Sequence, residues 1–240
     1  MLQVILISSL YSSVLLGNQE NIRLPDIGDP ATKVLSPAEE QQLGSVILGQ
    51  IRSSLNVVDD PELDTYIQSL GTRLVTAGLD SGLDFAFLCI ADPNINAFAA
   101  PGGIVAVNTG LILAAESESE LAGVVAHEIA HVEQRHLARA YANAGKINIA
   151  TALGVLASIA AGFADPQLGG AGLYSTIAAG AQASLSFSRA NEQEADRIGM
   201  GLLANARFDP IGMPKFFERL HRHNQLNAGP ELEFLSTHPV

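Results

Sequence analysis

Helical spacing of apolar positions dominates the chain. Ser36-Pro37-Ala38-Glu39 reads as a helix start, with Ser36 able to cap, Pro37 at the first helical position and Glu39 completing a capping box. The pattern predicts a helix from there to about Ser54. Asp60-Pro61 opens a second helix, in which Leu63, Ile67, Leu70 and Leu74 form one apolar stripe and Gly78 supplies a stop. Phe85 to Ile90 is short and β-rich. Ile95 to Val107 holds two further extended pieces, broken by the turn signal Pro101-Gly102-Gly103, so a small antiparallel sheet is expected. Helical patterning returns from Ser117 to about Asn143, with Glu118 and Glu120 in the first turn where the helix dipole favours acids. It returns again from Ser188 to Ala206 and from Asp209 to about His223. The expected fold is a mainly helical α+β domain with the small sheet beside the helix that starts at Ser117.

Two stretches break the pattern because they carry no polar stripe. The first lies within residues 1–17, where the apolar run Met1 to Leu16 has the length of a signal-peptide core and falls short of the roughly 20 residues that span a bilayer. No Lys or Arg precedes it. Residues 18–35 read as an extended linker, and residues 36–240 as the catalytic domain. The second stretch, residues 147–188, is rich in alanine and glycine with Asp165 its single charge. Helices apolar on every side must be buried in protein or in lipid. This stretch is expected to be a buried helical hairpin, a lid over the cleft hinged at glycines such as Gly145 and Gly162, or a contact with a membrane surface.

Charge narrows the functions available. With 25 acidic against 13 basic side chains the formal net charge is −12, and no basic cluster interrupts it, which excludes nucleic acid as a partner. A single cysteine, Cys89, forms no internal disulfide, and its apolar neighbours Leu88 and Ile90 make it a buried hydrophobe rather than a nucleophile.

The chemistry is concentrated in His127-Glu128-Ile129-Ala130-His131, an HExxH pattern. On a helix the two histidines lie about 40° apart on one face, so both imidazoles reach a single metal ion, with Glu128 beside them to take a proton from a zinc-activated water. Shuffled sequence produces the pattern in roughly one chain in a hundred, so a third ligand is required. In Asn191-Glu192-Gln193-Glu194-Ala195-Asp196, Glu192 and Asp196 share a helical face while Glu194 points about 160° away. Glu192 fits a ligand and Asp196 an acceptor that orients an imidazole, whereas Glu194 reads as a solvated charge. Nitrogen and carboxylate donors favour zinc, one ion per chain. His136, about 180° round from His127 on one continuous helix, is not a ligand, and His221 and His223 read as a solvated basic helix end. Arg189 is a cation near the proposed site, available to Asp196 or to substrate.

HEIAH followed by NEQEAD, with Asn94-Ile95-Asn96-Ala97-Phe98-Ala99 before it, Ser236-Thr237-His238-Pro239 after it and Leu24-Pro25-Asp26 near the start, resembles the M48 zinc metallopeptidases. The likeness is greatest to their periplasmic branch, the β-barrel assembly-enhancing proteases, and covers the chain from about Leu24 onward. It implies a zincin-like fold of the gluzincin type, with His127, His131 and Glu192 as zinc ligands and Glu128 as general base. It also implies that Asn96, Ala97, Phe98 and Ala99 form an edge strand for an extended substrate, and that His238 is a fourth ligand or an oxyanion stabiliser. The expected activity is an endopeptidase in the periplasm or cell envelope, acting on unfolded or misassembled proteins alongside the outer-membrane assembly machinery. The competing expectation is a chaperone-like quality-control protein whose zinc is latent or structural. Relatives of this kind often continue into a helical repeat domain, so a stop at Val240 marks a truncated or a minimal form.

Overall fold

The computed structural model describes residues 36–78, 82–143, 188–226 and 232–238. The expected amino-terminal segment and linker, and all of the apolar stretch except Ser188, lie outside the described residues.

Helix α1, Pro37–Ser54, starts as the sequence dictates: the Ser36 hydroxyl accepts from the Glu39 amide while the Glu39 carboxylate accepts from the Ser36 amide. In α2, Pro61–Gly78, the first turn is capped by Asp60, whose Oδ1 accepts from the amides of Glu62 and Leu63, and Ile67, Leu70 and Leu74 are buried.

Three strands follow: β1 Ala86–Ile90, β2 Ala97–Ala100 and β3 Ile104–Asn108, in the order β1-β3-β2. The Pro101-Gly102-Gly103 turn, with φ of 80° and 84° at its two glycines, folds β3 back antiparallel on β2. The sheet is mixed, not wholly antiparallel as expected, because β1 pairs parallel to β3. The chain reverses once between β1 and β2 and again at Pro101–Gly103, so β3 runs the way β1 does, and it enters between the two. The fully buried run of β3 suits that central place.

A short helix not foreseen from the sequence, α3 Thr109–Ala114, leads to α4, Glu118–Glu133, capped by the Ser117 hydroxyl. The expected single helix to Asn143 is two helices. The chain turns at Gln134 and Arg135, where Arg135 has φ 51°, and α5 runs His136–Asn143. Among the described residues the remaining helices are α6 Arg189–Asn205, α7 Gly212–Leu226 and α8 Glu233–Thr237. Among the described residues no helix is long and apolar enough to cross a membrane.

Sheet alternation separates two cores. Leu88, Ile90, Ile104 and Ala106 face Leu43, Ile47 and Ile51 of α1. Phe87, Val105 and Val107 face the larger core, built on α4 with Ile67, Leu70 and Leu74 of α2, Leu202 and Leu203 of α6 and Phe216 of α7. Every residue of α4 from Glu120 to Val132 is buried. Buried Glu120 is satisfied by Arg219, which also donates to the Ala114 carbonyl, so the start of α4 is tied to α7. Helix α6 lies close against α4 because Gly199 presents no side chain: a Cβ there would stand 3.2 Å from the His127 amide nitrogen.

Candidate active site

Helix α4 delivers His127 and His131 one turn apart, as their spacing predicts. Helix α6, begun by the Ser188 cap, places Glu192 in its first turn, where the helix dipole favours a carboxylate. His238 follows α8, its amide donating to the Phe234 carbonyl and its ring stacked on Phe234 at 4.6 Å between centroids. The four side chains are buried and converge, with one donor atom of each lying within 4.8 Å of the others.

The distances within this cluster test whether a metal fits. Four donors about 2.0–2.1 Å from a tetrahedral centre stand about 3.3 Å from one another. Here His127 Nε2 is 2.9 Å from His131 Nε2, 3.2 Å from His238 Nδ1 and 3.2 Å from Glu192 Oε2. His131 Nε2 lies 3.5 Å from Glu192 Oε1, and His238 Nδ1 lies 3.1 Å from Glu192 Oε2. Glu192 Oε1 is buried and makes no hydrogen bond among the described residues. Donor types, spacing and this orphaned oxygen all fit a divalent cation held by imidazole and carboxylate.

Electrostatics point the same way. Burial opposes a charge on His127, but hydrogen bonds to Asp196 and Glu192 and the nearby Glu128 outweigh it and raise its pKa to about 10, so a cation is drawn to this point. Burial, reinforced by the neighbouring His127, His238 and His136, keeps His131 neutral by pushing its pKa well below the usual value. Glu192 is held ionised: burial works against the carboxylate, and its contacts with His127 and His238 prevail.

Glu128 is completely buried beside this cluster. Burial raises its pKa, with Glu192 adding to the effect, while His238 and His127 partly offset it. His238 Nε2 stands 3.3 Å from Glu128 Oε1, so one imidazole touches both the donor cluster and the carboxylate. Phe217, edge-on to His127 at 5.5 Å, walls the site with Phe234.

Asp196 Oδ1 lies 3.0 Å from His127 Nδ1, within hydrogen-bonding distance. Strand β2 forms the sheet edge among the described residues, with Ala97, Phe98, Ala99 and Ala100 paired to β3 on its other side. Asn96, just before it, is buried and its carbonyl accepts from Asn108. A shallow depression, with room for about one water, lies beside the end of β2, lined by Ala99, His131, Val132 and Leu137, with the 2.8 Å ion pair between Arg135 and Glu40 of α1 in its wall.

Two expectations need correction or addition. Glu194 is not a solvated charge. Its side chain is 31% exposed, and Oε2 lies 3.1 Å from His136 Nε2 and 3.1 Å from Arg139 Nη2. His136 stays outside the donor cluster, but it is buried and its Nδ1 is 2.9 Å from His131 Nδ1. Angular bookkeeping on one continuous helix missed this because the left-handed Arg135 breaks the helix and turns His136 in behind His131. No glycine marks that break in the sequence. Arg189 is exposed, His221 and His223 are exposed near the end of α7, and Cys89 is a buried free thiol whose pKa burial raises.

Comparison with known proteins completes the picture. The chain is 43% identical over 217 residues to the β-barrel assembly-enhancing protease of Escherichia coli, covering 90% of this chain and 44% of that protein. It is equally similar to the protein of the same name from Yersinia pestis. It is 34% identical over 174 residues to the mitochondrial metalloendopeptidase OMA1 of Schizosaccharomyces pombe, covering 72% of this chain and 48% of that one. The chain thus spans less than half the length of these relatives. Residues 61–240, which carry the HExxH helix, Glu192 and His238, match the model of peptidase family M48, and the chain belongs to that family.

Proposed function

We propose that the chain is a zinc-dependent endopeptidase that hydrolyses peptide bonds in unfolded or misassembled envelope proteins. The observation that carries this reading is the fully buried Glu128 beside three converging donors, His127, His131 and Glu192. Zinc held by His127, His131 and Glu192 would supply the Lewis acidity that activates water and polarises a scissile carbonyl. Glu128 takes the proton of the attacking water and later delivers it to the leaving amine. Burial raises its pKa, which strengthens it as a proton acceptor. Asp196 holds His127 in the tautomer that leaves Nε2 free to bind. The substrate backbone adds to the edge formed by Asn96, Ala97, Phe98 and Ala99 through main-chain hydrogen bonds, a mode that reads extended conformation more than sequence.

His238 favours a second state of the same site. With Nδ1 among the donors and Nε2 against Glu128, it would close the fourth position of a bound zinc, and a closed fourth position is the mark of a latent or structural zinc site. In this state the protein serves as a chaperone-like quality-control binder until His238 withdraws. The apolar amino-terminal segment supports a periplasmic or envelope location, and the names of the bacterial relatives support a connection to outer-membrane β-barrel assembly.

Metal analysis and casein hydrolysis, run on the wild type and Glu128→Gln together, test the reading. One zinc per chain in both, with cleavage by the wild type alone, is expected. Zinc in both with cleavage by neither moves the weight to the binding role, and absence of metal removes the basis of the assignment.

A further inference from the structure

His131 has a support of its own, distinct from the carboxylate that supports His127. Its Nδ1 lies 2.9 Å from His136 Nδ1, His136 Nε2 lies 3.1 Å from Glu194 Oε2, and Arg139 Nη2 donates to the same oxygen at 3.1 Å. The turn at Arg135 presents His136 from α5, and α6 presents Glu194 between its two site residues, Glu192 and Asp196. We propose that Arg139, Glu194 and His136 form a relay that fixes the tautomer and orientation of His131 as a metal donor. The inference rests on the proposed reading of His131 as a ligand.

The direction of the relay follows from hydrogen-bond accounting. A carboxylate only accepts, so the His136 nitrogen facing Glu194 must carry the hydrogen. In a neutral imidazole the other nitrogen, Nδ1, is then an acceptor, and His131 Nδ1 must donate to it. His131 Nε2, which faces His127 and Glu192, is therefore left without hydrogen and with its lone pair directed at the donor cluster. Arg139 Nη2, donating to the same carboxylate oxygen, holds the acceptor end in place. His136, Glu194 and Arg139 are positioning residues: none is among the converging donors.

The test uses Glu194→Leu and Glu194→Gln in the full chain, because Glu194 sits at a partly exposed helix position where substitution spares the core. Zinc affinity is measured by chelator competition, and the imidazole ¹⁵N spectrum of the metal-free protein reports which His131 nitrogen is protonated. Glu194→Leu is expected to weaken zinc binding about tenfold and to turn the His131 signal from the Nδ1–H form to a tautomer mixture. Glu194→Gln, whose amide oxygen still accepts from His136, is expected to restore affinity to within about threefold of wild type. His136→Phe, which keeps the ring volume and removes both nitrogens, should match or exceed the loss in Glu194→Leu. An unchanged zinc affinity and an unchanged His131 signal in Glu194→Leu, with only a lower unfolding temperature, would make the cluster a structural brace and overturn the relay. If the wild type binds no zinc, the peptidase reading fails, while the imidazole spectrum still decides the relay.

Discussion

Gly199 and Gly201 lie on the same helix, α6, and alanine placed at each in turn separates backbone propensity from close packing. Both substitutions remove the conformational freedom of glycine in a helix interior, which stabilises by about 1 kcal/mol. Gly201 is exposed, and a methyl added there would meet nothing within 4 Å, so it should show that gain alone. At Gly199 the methyl would stand 2.7 Å from Met213 Cε, 3.2 Å from the His127 nitrogen and 3.3 Å from the Ala126 carbonyl carbon. Carbon contacts are optimal at about 3.5–4.0 Å, so the methionine end must move by about 1 Å within a packed core, and two backbone atoms of α4 cannot rotate away. Overpacking of this kind costs about 1–3 kcal/mol. The propensity gain is common to both variants, so the difference between them reports the packing cost alone. At about 2–4 °C per kcal/mol for a domain of this size, Gly201→Ala should raise the thermal midpoint of the metal-free protein by about 2–4 °C. Gly199→Ala should lie below it by at least that amount. Because α6 carries Glu192 and Asp196, Gly199→Ala should also weaken zinc binding, whereas Gly201→Ala should not. Equal midpoint shifts in the two variants would refute the close approach of α6 to α4.

Two further outcomes follow from the site and its frame. Arg219 lowers the Glu120 pKa below its usual 4.5, so the pair stabilises the fold above that value and the contribution is lost as pH falls through the lowered one. Glu120→Gln should lower stability by about 2 kcal/mol at neutral pH, with its deficit shrinking in thermal unfolding below about pH 4; a deficit independent of pH would contradict the pairing. His238→Ala leaves three donors, so zinc should remain bound and casein hydrolysis should rise. A fall in hydrolysis with zinc retained would instead assign His238 to stabilising the oxyanion.

Much of the frame was legible because its signals are local. The Ser36 capping box, the Asp60 cap and the glycine pair at 102 and 103 act within a few residues, and each element begins or turns where they stand. Angular spacing places Glu192 and Asp196 on one face because both lie on one uninterrupted helix. What escaped depends on non-local or unmarked geometry. Arg135 takes a left-handed conformation that sequence normally signals with glycine, so the break in the helix was invisible and His136 was placed on the wrong side. The parallel pairing of β1 with β3 is set by which strand occupies the middle, which alternation cannot encode. The Arg219–Glu120 and Arg135–Glu40 pairs join residues far apart in sequence, beyond the reach of periodicity.

Helix α1 stands apart from the chemistry in a way that matters for how such proteins diversify. The family match begins at residue 61, after α1, yet α1 covers one face of the sheet and contributes Glu40 to the wall of the depression. The wall beside His131 is thus shared between stretches of chain, with Glu40 coming from α1 and Ala99, Val132, Arg135 and Leu137 from the matched region. Substitutions along α1 can therefore remodel the covered face of the sheet and the surface beside His131 without replacing His127, Glu128, His131 or Glu192, so this flank is free to drift between lineages while those four residues stay fixed.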